Sequence, residues 1–134
     1  MDIYFQDPSD IPLPPNEVRI RRLAADPYPD GRRVRVTLEL TPFLRRPNGE
    51  ISIINASGNE VASLSIIETI DPKMEMTVHL RGQETHGDYR VEARIFYLEE
   101  PEGQPEEKEV DLQDRKQMLV DQAQAEFSVS PQEG

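Results

Sequence analysis

Gly87-Asp88-Tyr89-Arg90-Val91-Glu92-Ala93-Arg94-Ile95-Phe96-Tyr97 is the stretch that decides the fold. Tyr89, Val91, Ala93, Ile95 and Tyr97 share one parity, and Arg90, Glu92 and Arg94 share the other. Successive side chains of a strand point to opposite faces, so this is the pattern of a strand with one face in a core. The same period recurs upstream. Val34, Val36, Leu38 and Leu40 alternate with Arg33, Arg35, Thr37 and Glu39, and Met74, Met76, Val78 and Leu80 alternate with Glu75, Thr77, His79 and Arg81. Shorter runs are Val18/Ile20, Ile51/Ile53 and Leu64/Ile66, and a late one is Ala123/Ala125/Phe127/Val129.

Turn chemistry separates these runs: Asp26-Pro27-Tyr28-Pro29-Asp30-Gly31, Pro47-Asn48-Gly49, Ser57-Gly58-Asn59, Asp71-Pro72 and His86-Gly87-Asp88. Asn48-Gly49 reads as a two-residue hairpin turn. The pattern predicts seven strands near residues 17–24, 32–41, 50–56, 60–68, 73–81, 88–98 and 120–129. The expected class is all-β, an antiparallel two-sheet, immunoglobulin-like sandwich, with a barrel of similar strand count as the rival architecture. Some twenty inward apolar side chains, at roughly 1.5–3 kcal/mol each, offset the ordering entropy of a small domain only narrowly.

The ends read differently. Residues 1–16 hold Pro8, Pro12, Pro14 and Pro15, a density that suits an extended lead-in, with Phe5, Ile11 and Leu13 as the side chains able to pin it. Residues 17–129 form the single domain, and 130–134 read as a frayed terminus. Residues 99–114 carry eight acids and one base, Lys108, for a net charge of -7, with Pro101, Gly103 and Pro105 among them. This predicts a long, solvated acidic loop before the last strand. Residues 112–120 fit a short helical turn as well as the start of that strand.

Composition narrows the function classes. The chain has 134 residues, no cysteine and a net charge of -11. Without cysteine there are no disulfides, thiolate zinc sites, iron–sulfur clusters or cysteine nucleophiles. Nucleic acid and anionic membrane call for a cationic footprint that this acidic chain lacks. No run of about 18 apolar residues is present to span a bilayer. Met1-Asp2-Ile3-Tyr4-Phe5-Gln6-Asp7-Pro8 has neither a basic n-region nor an apolar h-region. The expectation is a cytoplasmic protein, or an extracellular one if the chain is a piece of a longer exported polypeptide. Asn55-Ala56-Ser57 matches the N-glycosylation pattern, which matters only in the second case.

The segment His86 to Ile95 resembles the penultimate strand of immunoglobulin-like and fibronectin type III-like sandwich modules, which opens on Gly or Asp, then Tyr, then alternating aliphatics. The resemblance implies that Tyr89 closes a corner by bonding backbone upstream. Ala125-Glu126-Phe127-Ser128-Val129 resembles the last strand of such modules. The disulfide cysteines and core Trp of antibody domains are missing, and Val91 stands where the second cysteine would be. The likeness is to an architecture whose members serve as binding or spacing modules, and an architecture does not fix a function.

Few side chains offer catalytic or metal-binding chemistry. No Gly-x-Ser-x-Gly elbow occurs, and the only histidines are His79 and His86. With Glu84 and Asp88 they make the best metal candidate, and two exposed histidines are the commoner meaning of such spacing. The acidic loop lacks the ligand spacing of a calcium loop. The few rings (Tyr4, Phe5, Tyr28, Phe43, Phe96, Tyr97) give little platform for sugar stacking. Phe96 and Leu98 have outward parity and form a contact patch unless the N-terminal arm or the acidic loop covers them.

Arg21-Arg22, Arg32-Arg33 and Arg45-Arg46 fall near the ends of the early strands. Residues 1–67 carry eight bases and nine acids; residues 68–134 carry seven bases and seventeen acids. The arginines are either a basic patch that grips an acidic partner or packs the protein's own acidic loop, or devices that discourage edge pairing and support solubility. The sequence thus points to a non-catalytic module for protein–protein interaction or spacing, with no cofactor, no metal, an unknown protein partner and no nucleic acid. Arg21, Arg22, Arg32, Arg33, Arg45, Arg46, Phe96 and Leu98 are its candidate surface. The alternative is a carbohydrate- or ligand-binding accessory module of a larger extracellular protein.

Overall fold

The computed structural model describes residues 11–81, 87–99 and 116–129. Among them are seven strands: β1 (Ile20–Pro27), β2 (Arg33–Leu40), β3 (Asn48–Asn55), β4 (Glu60–Ile66), β5 (Lys73–His79), β6 (Gly87–Leu98) and β7 (Gln117–Val129). They form two antiparallel sheets, β1-β2-β5 and β4-β3-β6-β7. The expected all-β sandwich is therefore present, with β4 hydrogen-bonded to β3 rather than joining the smaller sheet. None of the described residues forms a helix long and apolar enough to cross a membrane.

The period-two runs fill the space between the sheets. Val34, Val36 and Leu38 from β2 meet Ile51 and Ile53 from β3 and Val91, Ala93 and Ile95 from β6 in one core cluster. Tyr89 is buried and stacks on Phe127, with ring centroids 5.3 Å apart and planes 13° from parallel. This inward pair closes one end of the core. The backbone a few residues upstream of Tyr89, which the corner expectation concerns, lies outside the described residues.

Three sequence expectations shift. The first strand starts at Ile20, not residue 17, because Pro15–Glu17 form a 3-10 turn and Arg21 bulges against β2, where Ile20 pairs Leu40 and Arg22 pairs Glu39. Asn48-Gly49 is not a turn. Both residues are buried at the start of β3, paired to Phe96 and Ile95. Gly49 is chosen there by space: a Cβ would lie 3.2 Å from the Arg94 carbonyl oxygen and 3.2 Å from Ile95 Cδ1. Finally, residues 117–120 belong to β7, so the strand alternative holds for that part of 112–120. The predicted acidic loop falls almost wholly outside the described residues, as do residues 1–10 and 130–134.

The sheets are tied at their sides. Ile20 N–H donates to Asp121 Oδ2 at 2.8 Å, joining β1 to β7. On the other side Arg81 N–H donates to the Val61 carbonyl at 2.8 Å. The lead-in is pinned as expected through Leu13, which bridges Phe43 in the β2–β3 loop, whereas Ile11 is half exposed.

Candidate functional site

Strand direction sorts the connections to two ends. One end carries the lead-in to β1, the β2–β3 loop, the β4–β5 crossover, the end of β6 and the start of β7. The large hydrophobics left exposed among the described residues all lie there: Ile11, Leu44, Ile67, Ile70, Met118 and Leu119. Single exposed apolar residues are ordinary, but their gathering at one end of a small domain makes that end the candidate surface.

The crossover that presents Ile67 and Ile70 is held rigidly. Asn48, the buried polar residue among those described, accepts the Glu68 N–H on its Oδ1 at 3.0 Å. Thr69 N–H donates to the Pro47 carbonyl at 3.1 Å, and the Thr69 hydroxyl donates to the Asp71 carbonyl at 3.0 Å. Asp71 Oδ1 accepts Lys73 N–H at 2.9 Å, and Leu40 N–H reaches the Pro72 carbonyl at 2.7 Å. Between the two isoleucines Glu68 has φ 44°, a left-handed conformation costly for a residue with a Cβ. Ile67 and Ile70 remain 69% and 74% exposed. A strained, over-determined loop that displays apolar side chains is an arrangement associated with function.

The neighbouring β2–β3 loop is equally fixed. Arg45 donates from Nη2 to the Leu98 carbonyl at 2.9 Å, and its guanidinium lies 5.2 Å from the centre of the Tyr97 ring. The Tyr97 hydroxyl donates in return to the Arg45 carbonyl at 2.8 Å, and burial pushes this phenol above its usual pKa. Leu44, one residue before, is 70% exposed.

Phe96 and Leu98 behave differently from a bare outward pair. Phe96 is buried, 6% exposed, with the Arg94 guanidinium 6.0 Å from its ring centre, and Leu98 is half-buried. Phe96 therefore serves as support for the surface rather than as its exposed part. A bulge at Val120 makes Ile95 pair Asp121 while Phe96 pairs Leu119. The extra residue moves Leu119 off the parity of Asp121 and Ala123 and sets it opposite Phe96.

The arginines do not make one patch. Arg45 and Arg46 sit at the apolar end. Arg21 and Arg22 begin β1 there, with Arg22 paired to Glu39 at 3.4 Å. Arg32 and Arg33 are at the opposite end. Asp30 accepts both their backbone N–H groups and the Arg33 Nε at 2.8 Å, which holds its carboxyl below the usual carboxylate range. There Tyr28 has Arg33 4.5 Å and Arg35 5.7 Å from its ring centre, and its hydroxyl lies 3.2 Å from Thr77 Oγ1. The bonds from Thr77 and Arg35 lower its pKa.

Among the described residues no group of three or more His, Asp or Glu side chains is placed to hold a metal. His79 is exposed at the end of β5; His86 and Glu84 lie outside the described residues. Ile67, Ile70 and Leu44 escaped the sequence reading. Ile66-Ile67 breaks the alternation of β4, and Ile70 stands against the Asp71-Pro72 turn, where no core position is available. Those two irregularities were the available signal.

The sequence matches no protein-family model and none of the curated proteins. In fold the chain is similar to part of a β-glucuronidase from Bifidobacterium dentium solved with coumarin-3-O-glucuronide, with a TM-score of 0.53 and 17% identity, over 86% of this chain and 19% of that one. It is similar as well to part of a glycosyl hydrolase family 2 member from Bacteroides cellulosilyticus, with a TM-score of 0.51 and 12% identity, over 84% of this chain and 15% of that one. The chain thus spans a fifth or less of the length of these enzymes, and at such identities the likeness is one of fold.

Proposed function

We propose that this chain is a non-catalytic β-sandwich module, of the immunoglobulin-like or fibronectin type III-like kind, that docks onto protein through its apolar end. The observation that carries this reading is the gathering of Leu44, Ile67 and Ile70 on loops fixed by hydrogen bonds, with Leu119 near the start of β7 at the same end. Burying each such side chain contributes roughly 1.5–3 kcal/mol, and a preordered loop has little entropy left to lose. Fold likeness to short segments of much longer enzymes supports reading the chain as an accessory module.

A second reading, a carbohydrate- or ligand-binding accessory module, draws on the same likeness. It has an open depression on the outer face of β1-β2-β5, lined by Arg22, Asp26, Arg35, Glu39, Lys73 and Glu75. Sugar stacking needs a bare ring, and the one ring beside that face, Tyr28, is overlaid by guanidinium groups. The protein-docking reading is therefore preferred.

The test is a photo-reactive phenylalanine analogue at Ile70, irradiated in the source lysate. A discrete protein adduct, absent when Leu44 and Ile67 are both changed to Ser, supports docking. No adduct, together with binding of a glycan panel that Arg35→Ala abolishes, favours the second reading.

A further inference from the structure

Two loops make up the most exposed part of the apolar end, and they are bonded to each other through Thr69 N–H to Pro47 O and Glu68 N–H to Asn48 Oδ1. They carry opposite charge. Residues 41–47 hold Arg45 and Arg46 and no acid; residues 67–72 hold Glu68 and Asp71 and no base. Each has its own exposed apolar residues: Leu44 in the basic loop, Ile67 and Ile70 in the acidic one. Arg46 and Glu68 are both exposed.

Such a surface is self-complementary under a two-fold axis. Rotation by half a turn lays the basic loop of one copy on the acidic loop of the other, twice over. In that arrangement Leu44 would face Ile67 and Ile70, and Arg46 would face Glu68. Closed two-fold contacts have this property: the same patch on both copies, with residue i against j and j against i. We propose, resting on the docking reading above, that the occupant of this end is a second copy of the chain, joined tip to tip.

The net charge of -11 opposes association at long range. At physiological ionic strength that repulsion is screened beyond about 8 Å, whereas the facing pairs are in contact. A tip-sized patch belongs to the weaker class of interfaces, so the dimer is expected to dissociate on dilution into the low micromolar range.

The experiment is sedimentation velocity on the full 134-residue chain from low micromolar to several hundred micromolar. The native chain is expected to shift from monomer to dimer across that range. Arg46→Glu and Glu68→Lys, each alone, set like charges against each other and should weaken the dimer about tenfold or more. An equimolar mixture of these two variants should dimerise again, because each copy then offers the other one Glu–Lys and one Arg–Glu pair. Both positions are exposed, and circular dichroism checks the fold of each variant. A chain that stays monomeric throughout, or a mixture no better than either variant alone, overturns the proposal. Such a monomer that still forms a discrete adduct with a different protein at position 70 leaves the docking reading standing; a monomer with no adduct removes both.

Discussion

The carboxamide oxygen of Asn48 accepts the backbone N–H of Glu68 at 3.0 Å, twenty positions along the chain, from inside the core. One buried side chain thereby sets the conformation of the loop that displays Ile67 and Ile70. Replacing it tests both its energetic and its positioning role. Asn48→Ala takes the acceptor from the part-buried Glu68 N–H and should cost about 0.5–1.5 kcal/mol in urea denaturation. Asn48→Asp, which keeps an acceptor oxygen, should lose less at a pH low enough to keep its buried carboxyl neutral.

Glu68 itself has φ 44°. Left-handed backbone costs a residue with a Cβ about 1–2 kcal/mol, and glycine is free of that cost while having more entropy to lose on folding. Glu68→Gly is therefore expected to raise the stability by about 0.5–1 kcal/mol, read as a higher urea midpoint at unchanged slope.

The Tyr89–Phe127 stack joins β6 to β7 on the inner face. Phe127→Ala should cost about 3–5 kcal/mol, because it removes both the ring contact and the volume that the ring fills. Phe127→Leu fills more of that space and should cost clearly less in the same thermal and urea unfolding measurements.

Gly49 and Gly58 separate two kinds of glycine requirement. Gly58 has φ 85° with open space around it, so Gly58→Ala meets only a conformational cost of about 1 kcal/mol. Gly49→Ala drives a Cβ against the Arg94 carbonyl, part of the β3–β6 ladder, and should cost about 1–3 kcal/mol. Gly49→Ala is thus expected to be the worse of the two.

Tyr28 and Tyr97 depart from the ordinary tyrosine value of 10.0 in opposite directions. Tyr28 is lowered by its bonds to Thr77 and Arg35, so its contribution is present above the ordinary pKa and fades as the pH falls through the folded value. Tyr97 is raised by burial. Its contribution is present below the ordinary pKa and is lost as the pH rises through the folded value. Absorbance titration at alkaline pH should show Tyr28→Phe removing an early phase and Tyr97→Phe a late one.

The sequence by itself determined the strands and the alternating side chains that fill the space between the sheets. Tyr89, Val91, Ala93 and Ile95 are buried as their parity requires, since alternation depends on each residue and its near neighbours alone. Tertiary structure decided the rest. Asn48-Gly49 has the local chemistry of a turn, but Asn48 is drawn inside by a partner at Glu68 and Gly49 by the space between Arg94 and Ile95. Phe96 has outward parity and is buried, because the Val120 bulge places Leu119 opposite it and Arg94 lies over it. The apolar end came into being only when loops far apart in sequence met at one end of the sandwich. Contacts of that range leave no periodic trace along the chain, which is why the strands could be read from it and the surface could not.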